Sequence, residues 1–448
     1  MTTSPRQLHL NAFLFGIGHH EAAWRAPDSS LTGTWDVQHY IELARIAERG
    51  KFDSIFFADG PSIQGDLRYR PVGWLDPLVL LPVIAAATKH IGLVATASTT
   101  YNEPYNLARK FASLDLVSNG RAGWNIVTTA GVDAAQNFGL DDVPAHKVRY
   151  ERATEFVDVC NKLWDSWEDD FLVGDKASGR FADGDKVHPI DHRGAFFRVK
   201  GPLNVPPTPQ RRPLLVQAGS SDDGRAFAAR YAEAVFTAHQ TLADGQKFYA
   251  DLKRQVVEVG RNPDDVKILP GLVPVIGSTE AEARAREEEL ANLQVWAYGL
   301  RQLSQLLGTE ISEAELDQPL RALPPVSQIE GHQSRFQLLV ELAHREQLTV
   351  RQLLVRMGGG RGHRTFTGTP EQIANTVEEW FKSGAADGFN VMAPVLPSGL
   401  ALFVEHVVPL LQKRGLFRED YTGRTLRDHY GLARPTSQYA ARTAHAAE

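Results

Sequence analysis

Apolar runs of strand length alternate with segments of helical period along most of the chain. This alternation is typical of parallel βαβ units rather than of separate helical and sheet regions. Predicted helices between the runs cover residues 37–49, 107–118, 150–165, 242–258 and 370–383. Eight runs are predicted strands: residues 8–15, 54–58, 91–97, 122–127, 214–218, 234–237, 268–275 and 388–394. The pattern predicts an α/β fold, a (β/α)8 TIM barrel with large rim insertions.

A doubly wound sheet is the alternative α/β architecture. It would show a glycine-rich fingerprint directly after the first strand. Here that strand is followed by only two glycines, Gly16 and Gly18, and then by His19 and His20. The histidines stand where a phosphate would have to approach the backbone, so the sequence favours the barrel.

Two stretches break the alternation, and we interpret both as insertions at the barrel rim of one domain spanning residues 1–448. Residues 167–213 are rich in Gly, Asp and Pro, and residues 290–364 combine helical pattern with the run Gly358-Gly359-Gly360. Insertions of this size usually form lids or partner surfaces. The polar tail beyond Leu416 is expected to lie along the surface.

Composition narrows the functional class. The net charge is −6, without a basic block, which argues against nucleic acid as a partner. Cys160 is the single cysteine and the first residues lack an apolar signal core, so we expect a cytoplasmic protein. No apolar run approaches the roughly 20 residues that cross a bilayer.

Polar side chains end several predicted strands, where a barrel places its active site. Hydroxyl and amide residues end the third and fourth strands. An acid, Asp59, ends the second; a buried strand-end aspartate suits hydrogen bonding to a ring N–H and equally suits helix or loop capping. The fifth strand ends in Gly219, Ser220 and Ser221 just before a predicted helix, which is a typical phosphate site. The same residues also suit an ordinary strand exit with Ser221 as helix cap.

His146 and Tyr150 lie four residues apart and therefore on one helix face. Both side chains can donate to a phosphate, although a histidine at a helix start also serves as a solvated cap. His19, His20 and His363 stand in predicted loops, where they suit either a substrate cavity or an ordinary loop. No histidine spacing indicates a zinc site.

The run 120–130, Gly-Arg-Ala-Gly-Trp-Asn-Ile-Val-Thr-Thr-Ala, resembles the strand signature of the luciferase-like flavin monooxygenases. The similar branch contains the nitrilotriacetate, dibenzothiophene sulfone and long-chain alkane monooxygenases. Further similar motifs follow in order at residues 8–13, 48–53, 163–167, 186–188 and 425–432. Two departures from the alkane branch, Gln64 for a tyrosine and Ala130 for a histidine, argue against transferring its substrate.

The resemblance implies a two-component enzyme. In that family a separate NAD(P)H:flavin reductase supplies reduced FMN (FMNH2), dioxygen is added, and the resulting flavin peroxide oxygenates a small organic substrate. In such chemistry His19, His20 and His363 are candidates for shaping the substrate cavity or stabilising the peroxide. A lid that excludes water would protect the peroxide, and residues 290–364 are the candidate for it. The implied FMN-binding residues are Asp59, Thr96, Thr99, Asn125, Thr128, Thr129, Ala130, His146, Tyr150, Gly219, Ser220 and Ser221.

Two other functions remain open at this point. One is a deazaflavin-dependent oxidoreductase of the same fold, whose relatives generally lack the Arg-Ala-Gly-Trp-Asn and Gln-Ala-Gly-Ser-Ser pairing found here. The other is a non-catalytic flavin-binding protein. We expect a homodimer or homotetramer, because large rim insertions often serve oligomers.

Overall fold

The computed structural model describes residues 6–63, 65–71, 73–219, 221–323, 333–360 and 362–439. Its strands are β1 (His9–Leu14), β2 (Ser54–Phe57), β3 (Gly92–Ser98), β4 (Ala122–Val127), β5 (Leu172–Asp175), β6 (Arg180–Ala182), β7 (His192–Arg193), β8 (Arg198–Val199), β9 (Leu214–Gln217), β10 (Ala234–Thr237), β11 (Lys267–Ile276), β12 (Arg364–Gly368) and β13 (Gly388–Val391). Parallel pairing in the order β1-β2-β3-β4-β9-β10-β11-β13, with β13 back on β1, closes a barrel. The predicted TIM barrel is confirmed.

Each of the eight predicted strands has its counterpart in this barrel. The strands are buried on both faces, as the uninterrupted burial of β1 and β3 shows, so they occur in the sequence as continuous apolar runs. Strand β12 was missed. It pairs with the outer half of β11, Leu272 to Ile276, beside the closed barrel. Its sequence, Arg-Thr-Phe-Thr-Gly, has no apolar run, because every residue except the last is only partly buried.

Helices follow the barrel strands as the hydrophobic pattern predicted. They are α1 (Val37–Arg49), α2 (Pro77–Ala87), α3 (Pro104–Val117), α4 (Val132–Asn137), α5 (His146–Trp164), α6 (Asp222–Tyr231), α7 (Leu242–Glu258), α8 (Glu280–Asn292), α9 (Trp296–Leu307), α10 (Gln333–Arg345), α11 (Val350–Gly360), α12 (Pro370–Lys382), α13 (Ser398–Leu402), α14 (Val408–Lys413) and α15 (Leu426–His429). Thr369 caps α12 with a capping box, and Pro370 stands at its first position. Within the described chain, no helix combines the length and apolar character that a membrane span requires.

Residues 167–213 connect the end of α5 to the start of β9. They form two small antiparallel hairpins, β5–β6 and β7–β8. Glu155 of α5 holds the second hairpin: its carboxylate accepts from the backbone N–H groups of Phe196 and Phe197 and pairs with His192. This segment therefore packs on the flank of α5.

Residues 290–364 contain α9, α10 and α11, which enclose an apolar core of their own around Leu303, Leu307 and Leu353. The segment contacts the loops after β1 and β2. Tyr298 stacks on Tyr69 at 5.6 Å, Arg301 pairs with Asp66, and the carbonyl of Gly358 accepts from the N–H of Glu21. The segment thus lies on the carboxyl-end side of the barrel, next to β1 and β2.

The run Gly358-Gly359-Gly360 lies in the last turn of α11. A Cβ atom at Gly358 would come within 2.1 Å of Gln294 Nε2. Gly358 therefore lies against the Gln294 side chain at the start of the segment. Pro324 and Pro325 lie outside the described residues.

The tail does not lie along the surface as predicted. Residues 417–432 cross the amino-terminal end of the barrel, where Leu426 and Tyr430 are buried among interior side chains such as Phe56 and Val94. The prediction was wrong because Arg418, Arg427 and His429 made the tail look solvated, whereas all three are buried and bonded. The tail closes the base of the barrel.

Candidate active site

A short hydrogen-bond chain joins the carboxyl ends of β2, β3 and β4. Thr96 Oγ1 donates to the carbonyl of Phe57 at 2.7 Å, and Asn125 Nδ2 donates to Thr96 Oγ1 at 2.8 Å. Because the amide nitrogen is committed to Thr96, Asn125 Oδ1 is oriented as an acceptor. It is buried and without a partner among the described residues. Its neighbours Trp124 and Ile126 pack on the outer helices, so Asn125 faces the barrel interior.

The remaining predicted threonines mainly hold backbone. Thr99 Oγ1 donates to the carbonyl of Val127 at 3.2 Å, and the carbonyl of Thr128 accepts from Thr100 Oγ1 at 2.6 Å. These bonds tie the loop after β3 to the loop after β4. Thr129 has a positive φ of 39°, which marks a sharp turn, and the exposed Ala130 follows it.

The helix starts of α5 and α6 meet at a cluster of hydroxyl groups. The Tyr150 side chain lies beside the hydroxyls of Ser221 and Thr128, and burial raises the pKa of Tyr150. Ser221 caps α6 by accepting from the N–H of Gly224 at 3.2 Å. His146 Nδ1 lies 3.0 Å from Asp223, and its ring contacts Tyr150. The structure therefore brings Thr128, His146, Tyr150 and Ser221 together; we call these four the hydroxyl cradle.

Gly219 stands at the tight turn before α6. Its N–H donates to Gln217 Oε1 at 2.9 Å, and a Cβ there would lie 2.2 Å from Gln217 Nε2 and 3.1 Å from the Gly224 Cα. A side chain here would press on Gln217 and on the backbone of Gly224, so glycine eases the tight turn from the strand into the helix. The predicted residue Ser220 lies outside the described residues.

Arg149 is a cation that the sequence interpretation did not select. It is 7% exposed, and its Nη1 donates to the carbonyl of Thr129 at 3.2 Å. Its Nε has no hydrogen-bond partner, and Arg149 forms no ion pair with any described carboxylate. Burial lowers its pKa. The only sequence signal was its place beside Tyr150, but a buried guanidinium next to the hydroxyl cradle suits an anion.

Asp59 lies at the rim after β2, where Trp74 Nε1 donates to its Oδ1 at 3.2 Å. Burial raises the pKa of this carboxyl group. The Trp74 ring also contacts Phe15 at 5.3 Å. The indole thus supplies one partner to Asp59 that the sequence did not indicate, because Trp74 is distant along the chain on an irregular loop.

Aromatic side chains from different strands form a floor at the mouth of the barrel. The Phe236 ring lies 5.5 Å from Phe13 and 5.9 Å from Phe56. His363 stacks on Phe236 at 4.9 Å, and His19 contacts Phe13 at 4.6 Å while its Nε2 donates to the Phe13 carbonyl at 2.8 Å. Two predicted histidines therefore border one aromatic cluster.

His20 lies instead toward the segment 290–364. It is buried, its Nδ1 accepts from the N–H of Ala22 at 3.1 Å, and its ring approaches the Gln294 side chain. His239, just after β10, was not selected by the sequence interpretation. Burial lowers the pKa of His239 to about 4, so the ring is neutral near pH 7. The sequence could have indicated His239 through its position directly after a barrel strand.

A cleft of about 900 Å³ opens at the same mouth. Its walls are the loop after β2 with Ile63, the loop after β4 with Thr129 and Val132, and helix α9 with Tyr298. The cleft is therefore shared between the barrel and the helical segment. Across the described residues, no three His, Cys, Asp or Glu side chains are grouped to hold a metal ion.

Fold and site together define a barrel whose mouth combines the hydroxyl cradle, a fixed amide acceptor and a cluster of aromatic side chains. Residues 19–387 match the family model for luciferase-like monooxygenases. The chain belongs to this family and is a flavin-dependent monooxygenase, which confirms the predicted family and activity.

Similar proteins span the whole chain. It is 46% identical to N-acetyl-S-(2-succino)cysteine monooxygenase of Bacillus subtilis (strain 168), over 98% of this chain and 100% of that protein. It is 48% identical to nitrilotriacetate monooxygenase component A of Aminobacter aminovorans, over 97% of this chain and 98% of that protein. The solved structure of EDTA monooxygenase from Chelativorans sp. BNC1 superposes with a TM-score of 0.80 at 38% identity, covering 96% of this chain and 99% of that one.

Proposed function

We propose that this chain is the oxygenase component of a two-component system that binds FMNH2 and transfers one atom of dioxygen to a small organic substrate. The balanced reaction converts FMNH2, dioxygen and substrate into FMN, water and oxygenated substrate. The hydroxyl cradle beside the unpaired Arg149 is the observation that carries this proposal. Similarity to monooxygenases over nearly the full length favours this activity over the deazaflavin-dependent and non-catalytic alternatives.

The residues present fit a flavin phosphate. Two helix starts, the hydroxyls of Tyr150 and Ser221 and the guanidinium of Arg149 converge, and Gly219 leaves the backbone accessible. Helix starts and charge-assisted hydrogen bonds are the groups that bind phosphate in proteins. Burial of Arg149 without a carboxylate partner is costly unless an anion neutralises it.

The remaining strand-end residues would hold the ring. Asn125 Oδ1 is fixed as an acceptor for a ring N–H, and Asp59 keeps a second oxygen available beside Trp74. When bound, reduced flavin supplies the electrons that activate dioxygen. The floor of Phe13, Phe56 and Phe236 excludes water from that chemistry, which favours oxygen transfer over release of hydrogen peroxide.

The electron donor is proposed to be a separate NAD(P)H:flavin reductase. The Aminobacter relative is named as one component, component A, of its monooxygenase. The cytoplasmic location and the homodimer or homotetramer remain predictions.

Three of the named relatives support a substrate class. N-acetyl-S-(2-succino)cysteine, nitrilotriacetate and EDTA are small organic molecules that each carry several carboxylates. We therefore expect this chain to oxygenate a small polycarboxylate.

Stopped-flow absorbance and isotope labelling test the proposal. NADH alone should leave the FMN-loaded protein oxidised, whereas adding a generic flavin reductase and ¹⁸O₂ should yield a product that contains one ¹⁸O atom. Rapid bleaching of bound FMN by NADH without the reductase would contradict the two-component assignment. Product without ¹⁸O would contradict the oxygenase activity.

A further inference from the structure

We propose that Arg70 binds a carboxylate of the substrate and thereby selects anionic substrates. The inference rests on the proposed function and adds to it the residue that reads the substrate's charge. Arg70 lies on the loop between β2 and α2, half-buried at the mouth. It forms no ion pair or hydrogen bond with any described residue, whereas Arg68 on the same loop pairs with Asp66.

The surroundings of Arg70 form a small crevice. Its guanidinium carbon lies 5.9 Å from the centre of the Phe15 ring, and Trp74 and Trp24 line the same space. The crevice holds about 20 Å³, which is enough for one or two water-sized groups. Glu21 also lines it. A carboxylate is small enough for this space and matches the fork of donors on a guanidinium.

The loop that carries Arg70 is held in place by three indole groups. Trp24 Nε1 donates to the carbonyl of Tyr69 at 3.0 Å, Trp35 Nε1 to the carbonyl of Gly73 at 3.1 Å, and Trp74 Nε1 to Asp59. Because the loop is already fixed, binding of an anion to Arg70 costs little further conformational entropy of the loop.

The flavin phosphate cannot be the anion for Arg70. The hydroxyl cradle stands at the ends of β4 and β9, whereas Arg70 packs between the loops after β1 and β2. Two to three strand spacings separate the two places, roughly 10 to 14 Å along the sheet. The mouth therefore offers two cationic positions, Arg149 at the cradle and Arg70 beside Phe15.

Isothermal titration calorimetry on the FMN-loaded protein tests this without turnover. The probes are nitrilotriacetate, N-acetyl-S-(2-succino)cysteine and, as an uncharged analogue, the trimethyl ester of nitrilotriacetate. Arg70→Gln should weaken the binding of at least one anionic probe tenfold or more and leave the ester and FMN unaffected. Arg70→Lys should retain part of the affinity, because it keeps the charge and loses the fork.

Arg68→Gln is the matched control: it removes the same charge from the same loop, but at a guanidinium that Asp66 already neutralises. It should change the binding of each probe less than twofold. Equal losses of affinity in Arg68→Gln and Arg70→Gln would overturn the proposal. An equal loss of affinity for the acids and the ester in Arg70→Gln would also overturn it, and so would a parent protein that binds neither acid. Binding of the acids through Arg70 without oxygenation would instead overturn the proposed function alone.

Discussion

At the residue scale, the hydroxyl cradle should distinguish FMN from riboflavin. Ser221→Ala removes a group that we assign to the flavin phosphate, which riboflavin lacks. FMN affinity should fall roughly tenfold or more, the effect of losing a hydrogen bond to a charged group, while riboflavin affinity stays unchanged. Arg149→Met should behave in the same way. Fluorescence titration of both flavins measures the two affinities.

Thr241→Ala is the control for Ser221, because Thr241 caps α7 as Ser221 caps α6. Each loses an N-cap worth about 1 kcal/mol, so stability should fall similarly. Only Ser221→Ala should separate FMN from riboflavin. Equal weakening of both flavins would place the phosphate elsewhere.

Residues at the ends of barrel strands could be selected from the sequence as candidates for the site. Thr96, Asn125 and Tyr150 were found because a barrel puts such positions at one mouth and helical spacing fixes a face. Arg70 and Trp74 could not be found in this way, because an irregular loop has no period from which to derive the direction of a side chain.

At the scale of elements, the tail and the barrel strands share a buried ion pair. Asp53 lies just before β2, is fully buried, and bonds to His9 Nδ1 at 3.1 Å, to the N–H of Leu10 at 2.7 Å and to Arg418 of the tail. Burial alone would raise the pKa of Asp53, but Arg418 and His9 outweigh it and hold the pKa below its usual 3.8.

A depressed folded-state pKa means that Asp53 stabilises the protein fully above about pH 4 and that this contribution is lost as pH falls further. Asp53→Asn should cost about 3–5 kcal/mol at pH 7, because it leaves Arg418 buried and unpaired, and should flatten the acid dependence. Urea unfolding at pH 7 and pH 3.5 measures both. Asp420→Asn, which breaks the exposed pair with Lys51, should change little; a similar loss in both variants would contradict the assignment.

Glycines in the barrel wall make room for the tail. A Cβ at Gly92 would lie 2.3 Å from Leu426 Cδ1 and 2.8 Å from the carbonyl oxygen of Asp53. Gly92→Ala should therefore destabilise the protein by about 1–3 kcal/mol through overpacking. Leu426→Ala alone should cost about 2–5 kcal/mol as a cavity, and the two costs should be less than additive when combined. Strict additivity in a double-mutant cycle would show that the two residues do not compete for space.

The elements themselves were predictable where their hydrophobic pattern was strong, as in the eight barrel strands. β12 and the tail were not predictable. The residues of β12 are mostly only partly buried, the tail buries polar residues, and both are placed by contacts with distant segments. No local pattern encodes that Arg427 will meet Glu233.

At the scale of the whole molecule, the segment 290–364 is expected to cover the mouth and protect the oxygen chemistry from water. Its contacts through Tyr298 and Arg301 with the β2 loop support this. A variant shortened between α9 and α11 should keep FMN affinity and release more hydrogen peroxide per product formed. Peroxide assay and product quantification give the ratio.

Size-exclusion chromatography provides the control, because a subunit contact is the competing role for this segment. If the shortened protein keeps its oligomeric state and couples oxygen to product as well as the parent does, the lid hypothesis is wrong.

The position of the tail also has a consequence for how this chain is made. Barrel closure needs β13, and the base of the barrel needs residues up to Leu432 of 448, so neither can be completed while those residues are still inside the ribosome. The earlier strands therefore emerge with the apolar interior of the barrel still open at its base, where chaperones that meet nascent proteins can contact it. Closing the base is thus a late step in the formation of this enzyme, which follows synthesis of all eight barrel strands.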